Sequence, residues 1–326
     1  MKPTGWPVLN GALCAAALLF AAGAALAQKY PDRPLRMVVP FAPGGGTDVL
    51  ARVLSTKLGQ NLGVNIVIEN RGGAGGTLGT EVVARAPSDG YTLLFTSASH
   101  VFNPGLRTRM SYDSIRDFSP VTLAALVPHL LIAHPSLPVR SVKDLLALAR
   151  SRPGEIHYSS GGNGSSLHLA AALFVKLAKV NMTHIPYKGG GPGMIGVLSG
   201  EAAVMFPTVQ SVMPHVNSGR LRAIAISTLK RSPALPGVPT VNESGLPGYD
   251  ATGWYGLLVR AGTPAAAISR LHAETVKVLN DPQMNKRLAD DGAVAVGNTP
   301  AEFDRFIRDE TAKWSQIIRE LKIRVD

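Results

Sequence analysis

Short apolar runs alternate with stretches of helical spacing along most of the chain. Leu35 to Val39 has the length of a strand, and behind it Val49, Leu50, Val53, Leu54 and Leu58 share one face of a helix predicted over 48–60. Val64 to Ile68 predicts a second strand. The glycine-rich stretch ENRGGAGGTLG leads into a helix over 77–86, and Tyr91 to Thr96 predicts a third strand. This βαβαβ run has the size of one doubly wound half-domain. Residues 121–133 form one long apolar stretch broken by Pro128, after which a second set begins. Ser141 with Asp144 opens a helix over 141–151 as a capping box. IHYSS, MTHIPY, Ala202 to Phe206 and Arg222 to Ser227 predict strands; 168–178 and 192–199 predict helices. The Pro- and Gly-rich stretch 228–250 reads as an ordered linker crossing back between domains, and GWYGLLVRAG as a further strand. Thr263-Pro264 and Thr299-Pro300 predict helix starts, the second with Glu302 as a capping box. Phe303, Phe306, Ile307, Trp314, Ile317, Ile318 and Leu321 form a packing stripe on the final helix. The alternation predicts an α/β protein with largely parallel sheets.

Four times a strand ends in a glycine-rich turn before a helix, at 43–46, 72–76, 161–164 and 189–193. A helix N-terminus presents unpaired N–H groups and partial positive charge, and glycine lets a ligand approach that backbone. PGGGTD is thus suited to hold a carboxylate or phosphate with main-chain donors and the Thr47 hydroxyl. Asp48 reads as a first-turn structural residue rather than a ligand contact. The phosphate-binding pattern GxxxxGK[ST] is absent, and no full dinucleotide pattern GxGxxG is expected, since the runs from Gly44, Gly73, Gly161 and Gly189 each stop short of it. No nucleotide or other cofactor is expected. Gly164-Ser165-Ser166-Leu167-His168 resembles a nucleophile elbow but lacks the closing glycine. HExxH is absent and the eight histidines are dispersed, so no metal site is expected. What surrounds the turns is neutral donors, namely Ser97, Ser99, Ser160, Asn163, Ser165, Ser166, Tyr187 and Thr208, with Lys188 adding one positive charge. Without a nucleophile–base pair, such a set suits binding rather than turnover.

The 326 residues suit two domains, and 45% apolar with 17% charged residues describes a globular chain. Residues 11–26, GALCAAALLFAAGAAL, have the length of a signal-peptide core, and Ala25-Leu26-Ala27 is a small-x-small cleavage site. The expectation is a signal over 1–27, cut between Ala27 and Gln28. Cys14, the one cysteine, would leave with it, so neither disulfides nor thiolate chemistry are expected. An exported, disulfide-free chain of this size points to the periplasm. The formal charge of +11 comes from scattered residues without a basic run or interleaved aromatics, which argues against nucleic acid. Steering of small anions or a generally basic surface both accommodate it.

YPDRPLRMVVPFAPGGGTDVLARVL, VIENRGGAGGTLGTEVVARAPSDGYTLLFTSASH, YSSGGNGSSLHLAAALF, HIPYKGGGPG and KRSPALPGVPTVNESGLPGYDATGWYGLLVRAGTP closely resemble, in the same order, the substrate-binding proteins of tripartite tricarboxylate transporters, the Bug family. The resemblance spans 29–322. It implies a type II periplasmic binding protein: two doubly wound, Rossmann-like α/β domains joined by two crossing strands, with domain 1 from 28–124 and 252–326 and domain 2 from 125–251. It further implies closure on a carboxylate, whether a di- or tricarboxylate, an amino acid or an aromatic or nicotinic-type acid.

By the same resemblance, Phe41, Ala42, Gly44, Gly45, Gly46 and Thr47 and the turn Ser160, Gly162, Asn163, Ser165 and Ser166 would hold one carboxylate. Ser97 and His100 would lie at a third strand end, Tyr187, Lys188 and Gly189 across the cleft, and Trp254 on the return strand. Two departures stand out. Pro207-Thr208 replaces an acidic residue and asparagine common in the family, which argues against an amino-acid ligand, and Gly161 replaces a common serine. The expected partners of this monomer are a small organic carboxylate, membrane permease subunits and, for a signalling role, a sensor protein. The competing reading is an exported hydrolase using Ser165 or Ser166 with His168.

Overall fold

A computed structural model of the protein describes residues 30–290, 292–321 and 323–325. The expected signal peptide, its cleavage site, Cys14 and the Leu321 side chain lie outside the described residues. The strands, in chain order, are β1 (Leu35–Val39), β2 (Ile66–Asn70), β3 (Thr92–Ser97), β4 (Phe118–Val127), β5 (Leu130–Ala133), β6 (His157–Ser160), β7 (Thr183–Pro186), β8 (Val204–Met205), β9 (Arg222–Ile226), β10 (Gly253–Arg260) and β11 (Val294–Ala295). They build two sheets with helices between, in the orders β11-β4-β10-β3-β1-β2 and β7-β6-β8-β5-β9. The fold is a two-lobed α/β architecture.

The expectation of largely parallel sheets needs correction. β1 runs parallel to β2 and β3, but β10 runs antiparallel to β3 and β4. In the second sheet β6 is parallel to β7 and β8, whereas β5 is antiparallel to β8 and β9. The antiparallel members are the strands by which the chain leaves one sheet and re-enters it, and such strands have no crossover helix to set them parallel. The apolar stretch 121–133 is two strands, β4 in one sheet and β5 in the other, separated by Pro128 and His129. Proline has no N–H for a ladder, so the first sheet ends there. Val64 precedes rather than starts β2. Helices Ser99–Leu106 and Val209–Asn217 stand where no helix was predicted. The three closing helices are Ala265–Leu279, Pro282–Asp290 and Pro300–Leu321. Thr299 and Glu302 exchange the expected capping-box bonds. Thr263 does not cap its helix: Pro264 takes the N-cap position and the Thr263 hydroxyl donates to the Arg260 carbonyl.

The final helix buries Phe303, Ile307, Trp314 and Ile318 against the first sheet and its helices. The Trp314 ring lies 4.5 Å from Phe102, and Phe303 stands edge-on to Trp254. The stretch 228–250 is ordered: Val241, Leu246 and Tyr249 join the main core, and the Tyr249 hydroxyl donates to the Ala170 carbonyl.

The two sheets are joined at a buried knot. His129 N donates to Ser227 Oγ, Ser227 N to the His129 carbonyl, and Ala251 N to the Ser227 carbonyl. Ser227 Oγ donates to the Ala251 carbonyl, and His129 Nδ1 lies 2.9 Å from the same oxygen. Leu130 N donates to the Pro207 carbonyl and Val209 N to the Pro128 carbonyl, so the knot adjoins Thr208.

Candidate functional site

The helix Gly46–Leu62 begins after Gly45 without a side-chain cap, so its first N–H groups are left for another acceptor. Asp48 shapes the loop before it. Gly44 N and Asn70 Nδ2 donate to its two carboxylate oxygens, Asn70 Nδ2 also donates to the Phe41 carbonyl, and Arg52 pairs with it. Burial acts to raise the Asp48 pKa, but hydrogen bonds from Arg52, Gly44 and Asn70 outweigh it and hold the carboxyl below its ordinary value. Asp48 is therefore a brace for the glycine loop. Asp48→Ala is expected to lower stability by roughly 2 kcal/mol, because Gly44 N and Arg52 lose a charged acceptor. Urea unfolding would measure it, and an unchanged midpoint would remove the brace.

In the second lobe, Ser165 caps helix Ser166–Ala178 by accepting from His168 N. The His168 ring accepts from Gly164 N through Nδ1 and stacks on His184 at 4.2 Å. Burial, aided by the neighbouring His184, pushes His168 down to about 3; burial pushes His184 down to about 4. The hydrolase reading finds no assembled pair among the described residues: His168 Nδ1 accepts from Gly164 N, Ser165 Oγ accepts from His168 N, and no hydrogen bond joins the His168 ring to Ser165 or Ser166 Oγ. Ser160 Oγ accepts from Gly162 N and lies 2.7 Å from His184 Nε2.

The turns of the two lobes meet backbone to backbone. Ala42 N donates to the Lys188 carbonyl across the cleft. A Cβ on Gly45 would lie 3.3 Å from Gly190 N; one on Gly191 would overlap the Pro43 carbonyl oxygen, and one on Gly75 that of Asn163. Glycine at these positions is what permits the approach. Helix Gly190–Leu198 also begins without a side-chain cap. The expectation that no full GxGxxG pattern is present needs correction, because Gly191, Gly193 and Gly196 do satisfy that spacing. All three lie inside that helix, against Pro43, Ser160 and Tyr187 respectively, so their spacing serves packing and not the strand-to-helix turn of a dinucleotide site.

Between the turns lies a cavity of about 20 Å3, close to the space one water molecule needs. Its walls bring together Phe41, Gly45, Gly46 and Thr47, Ser97, and Ser166 and Thr208 from the opposing lobe. Gly161, Leu167, Gly190, Ser211 and Tyr255 complete it, and none of the lining side chains is charged. The two lobes are closed against one another around it.

The other predicted residues sit around this centre. Ala42, Gly44, Gly162 and Gly189 belong to the close backbone contacts. Asn163 and Lys188 have exposed side chains and bring their carbonyls to the contact. The Tyr187 ring covers Gly196. His100 is buried with Nε2 2.7 Å from the Ser114 carbonyl and its ring edge-on to Phe118; Trp254 is buried against Phe303 and Phe306. Neither lines the cavity. Tyr255 does, because adjacent strand residues point to opposite faces. Gln210, also unpredicted, donates from the second lobe to the Gly46 carbonyl at 2.7 Å.

The family model described as tripartite tricarboxylate transporter family receptor matches residues 50–323. The solved periplasmic binding protein BugD is 34% identical, with a TM-score of 0.88 over 90% of this chain and 99% of its own. Rpa4515 of R. palustris, solved with adipate, gives 34% and 0.88 over 90% and 99%. MatC (Rpa3494) of Rhodopseudomonas palustris, solved with bound malate, gives 31% and 0.85 over 89% and 100%. With a lobed fold, opposed glycine turns and a family match over most of its length, the chain belongs to the tripartite tricarboxylate transporter family of periplasmic receptors.

Proposed function

We propose that the protein captures a small organic carboxylate by closing its two lobes and delivers it to membrane permease subunits. The observation that carries this reading is the pair of uncapped helix starts, Gly46 and Gly190, that oppose one another beside an uncharged, hydroxyl-rich cavity. Their free N–H groups supply donors to an anion without any side-chain base. Adipate and malate in the solved relatives support the same chemical class. In this reading residues 28–124 with 252–326 form one lobe and 125–251 the other, and an export signal is removed between Ala27 and Gln28. Ligand contacts come from Phe41 to Thr47, Ser97, Ser166 and Thr208, and the protein acts as a monomer.

Calorimetry with malate, adipate, succinate and aspartate tests the proposal. At least one dicarboxylate without an ammonium group should bind and raise the melting temperature. Aspartate should bind about tenfold or more weakly than malate, since its ammonium would enter a cavity with no acidic side chain and lose a charge-assisted hydrogen bond. Tight aspartate binding would contradict the uncharged site, and silence across the whole panel would end the carboxylate reading.

A further inference from the structure

One polar bond between the lobes lies outside the cavity lining. Gln210 stands in the first turn of helix Val209–Asn217, whose N-terminus is tied to the inter-sheet knot through Val209 N and the Pro128 carbonyl. Its side chain is 9% exposed. It reaches across to the other lobe and donates through Nε2 to the carbonyl of Gly46, the first residue of the opposing helix. That carbonyl already serves the helix's own i+4 N–H, so Gln210 uses its second lone pair. The space a side chain on Gly46 would need is filled by Thr208 Oγ1, the Tyr255 hydroxyl and Gln210 Nε2. The bond therefore exists only with the lobes together; opening returns both partners to water.

We propose that Gln210 is the closure latch, a positioning residue that sets how long the lobes stay shut and touches no ligand. The inference rests on the domain-closure reading above, and two consequences separate it from a ligand contact. Loss of the latch shortens the closed state whether or not an acid is present. It also accelerates release of every bound acid by the same factor, leaving the association rate almost unchanged.

Gln210→Met keeps the length and bulk of the side chain and removes the donor; Gln210→Ala removes both. Residues 28–326 contain no cysteine, so Asn217→Cys and Ala266→Cys, exposed positions on the two lobes, can carry a donor and acceptor dye. Single-molecule energy transfer would then read closed-state dwell times, without ligand and with saturating malate or adipate. Both Gln210 variants are expected to shorten the dwell about tenfold, the worth of one buried hydrogen bond, with unliganded melting temperatures within a degree or two of the parent. Stopped-flow release of malate and adipate should quicken by the same factor for each. A Gln210→Met protein with parental dwell times would overturn the latch, and so would an effect confined to one acid. Should neither acid bind, the ligand-free dwell times still decide the latch, and only the carboxylate reading fails.

Discussion

Gly191→Ala is expected to weaken carboxylate binding about 100-fold while leaving the unliganded protein folded. A Cβ at this position would overlap the Pro43 carbonyl oxygen and lie 3.1 Å from the Gly44 carbonyl carbon, both in the opposing lobe. Neither obstacle is a side chain that can swing aside. The lobes would have to stop short, and overpacking against backbone costs about 3 kcal/mol, which converts to the stated loss. Within its own lobe the substitution is benign: Gly191 lies in a helix without a left-handed backbone, where alanine is favoured by up to about 1 kcal/mol. Affinity and stability should thus move in opposite directions. Gly237→Ala is the control, since a Cβ there meets nothing within 4 Å. Calorimetry with the best-bound acid and a melt without it make the comparison. Parental affinity in Gly191→Ala would mean that the bound state does not bring the two glycine turns this close.

The second large effect is expected in acid. His100, His129, His168 and His184 are held neutral, mainly by burial, with pKa values pushed down to about 4, 4, 3 and 4. Unfolded, each would titrate near its ordinary 6.5. Between those values the unfolded chain takes up protons that the folded chain refuses, so stability is complete above pH 6.5 and lost as the pH falls towards 4. Each imidazole contributes on the order of 1 kcal/mol per pH unit in that window. Asp48, lowered in the fold, begins to add to the loss only below its unfolded value of about 4. The decline from pH 6.5 to 5 is accordingly an imidazole effect. Urea midpoints at pH 7, 6 and 5 should drop steadily, and His129→Gln should flatten the slope. Equal midpoints at pH 7 and pH 5 would show that these rings are not kept neutral.

Much of this fold is legible in the sequence. Strand β1, the glycine loop and the helix behind it follow from Met37-Val38-Val39, three glycines and a 3.6-residue apolar period, which are local signals. Thr47, Ser97, Ser166 and Thr208 stand out in the sequence only as neutral donors beside the glycine turns, where a hydroxyl serves a cap or turn equally well; the structure brings all four to one cavity wall. On the return strand the family resemblance points to Trp254 whereas Tyr255 faces the cavity, since a strand's two faces look alike in sequence when the whole strand is buried. Gln210 carried no signal because the helix that presents it contains Pro214, which argues against a helix in sequence. The break at Pro128 is visible in the sequence, but assigning its two halves to different sheets needs the pairing partners, which lie about 90 residues further on for β5 and about 130 to 140 for β4.

The knot of His129, Ser227 and Ala251 fixes how the mouth of the site can gape. A rotation about so compact a fulcrum displaces each group in proportion to its distance from it. Thr208 follows Pro207, whose carbonyl is bonded to Leu130 N beside the pivot, and so travels least. Lys188 to Gly191 follow β7, the edge strand three places from β5 in the second sheet, so they sit further out on the lever arm and sweep further. An arriving anion thus meets the inner hydroxyls nearly in their final places, while the outer amides complete the enclosure afterwards, and departure begins at the rim.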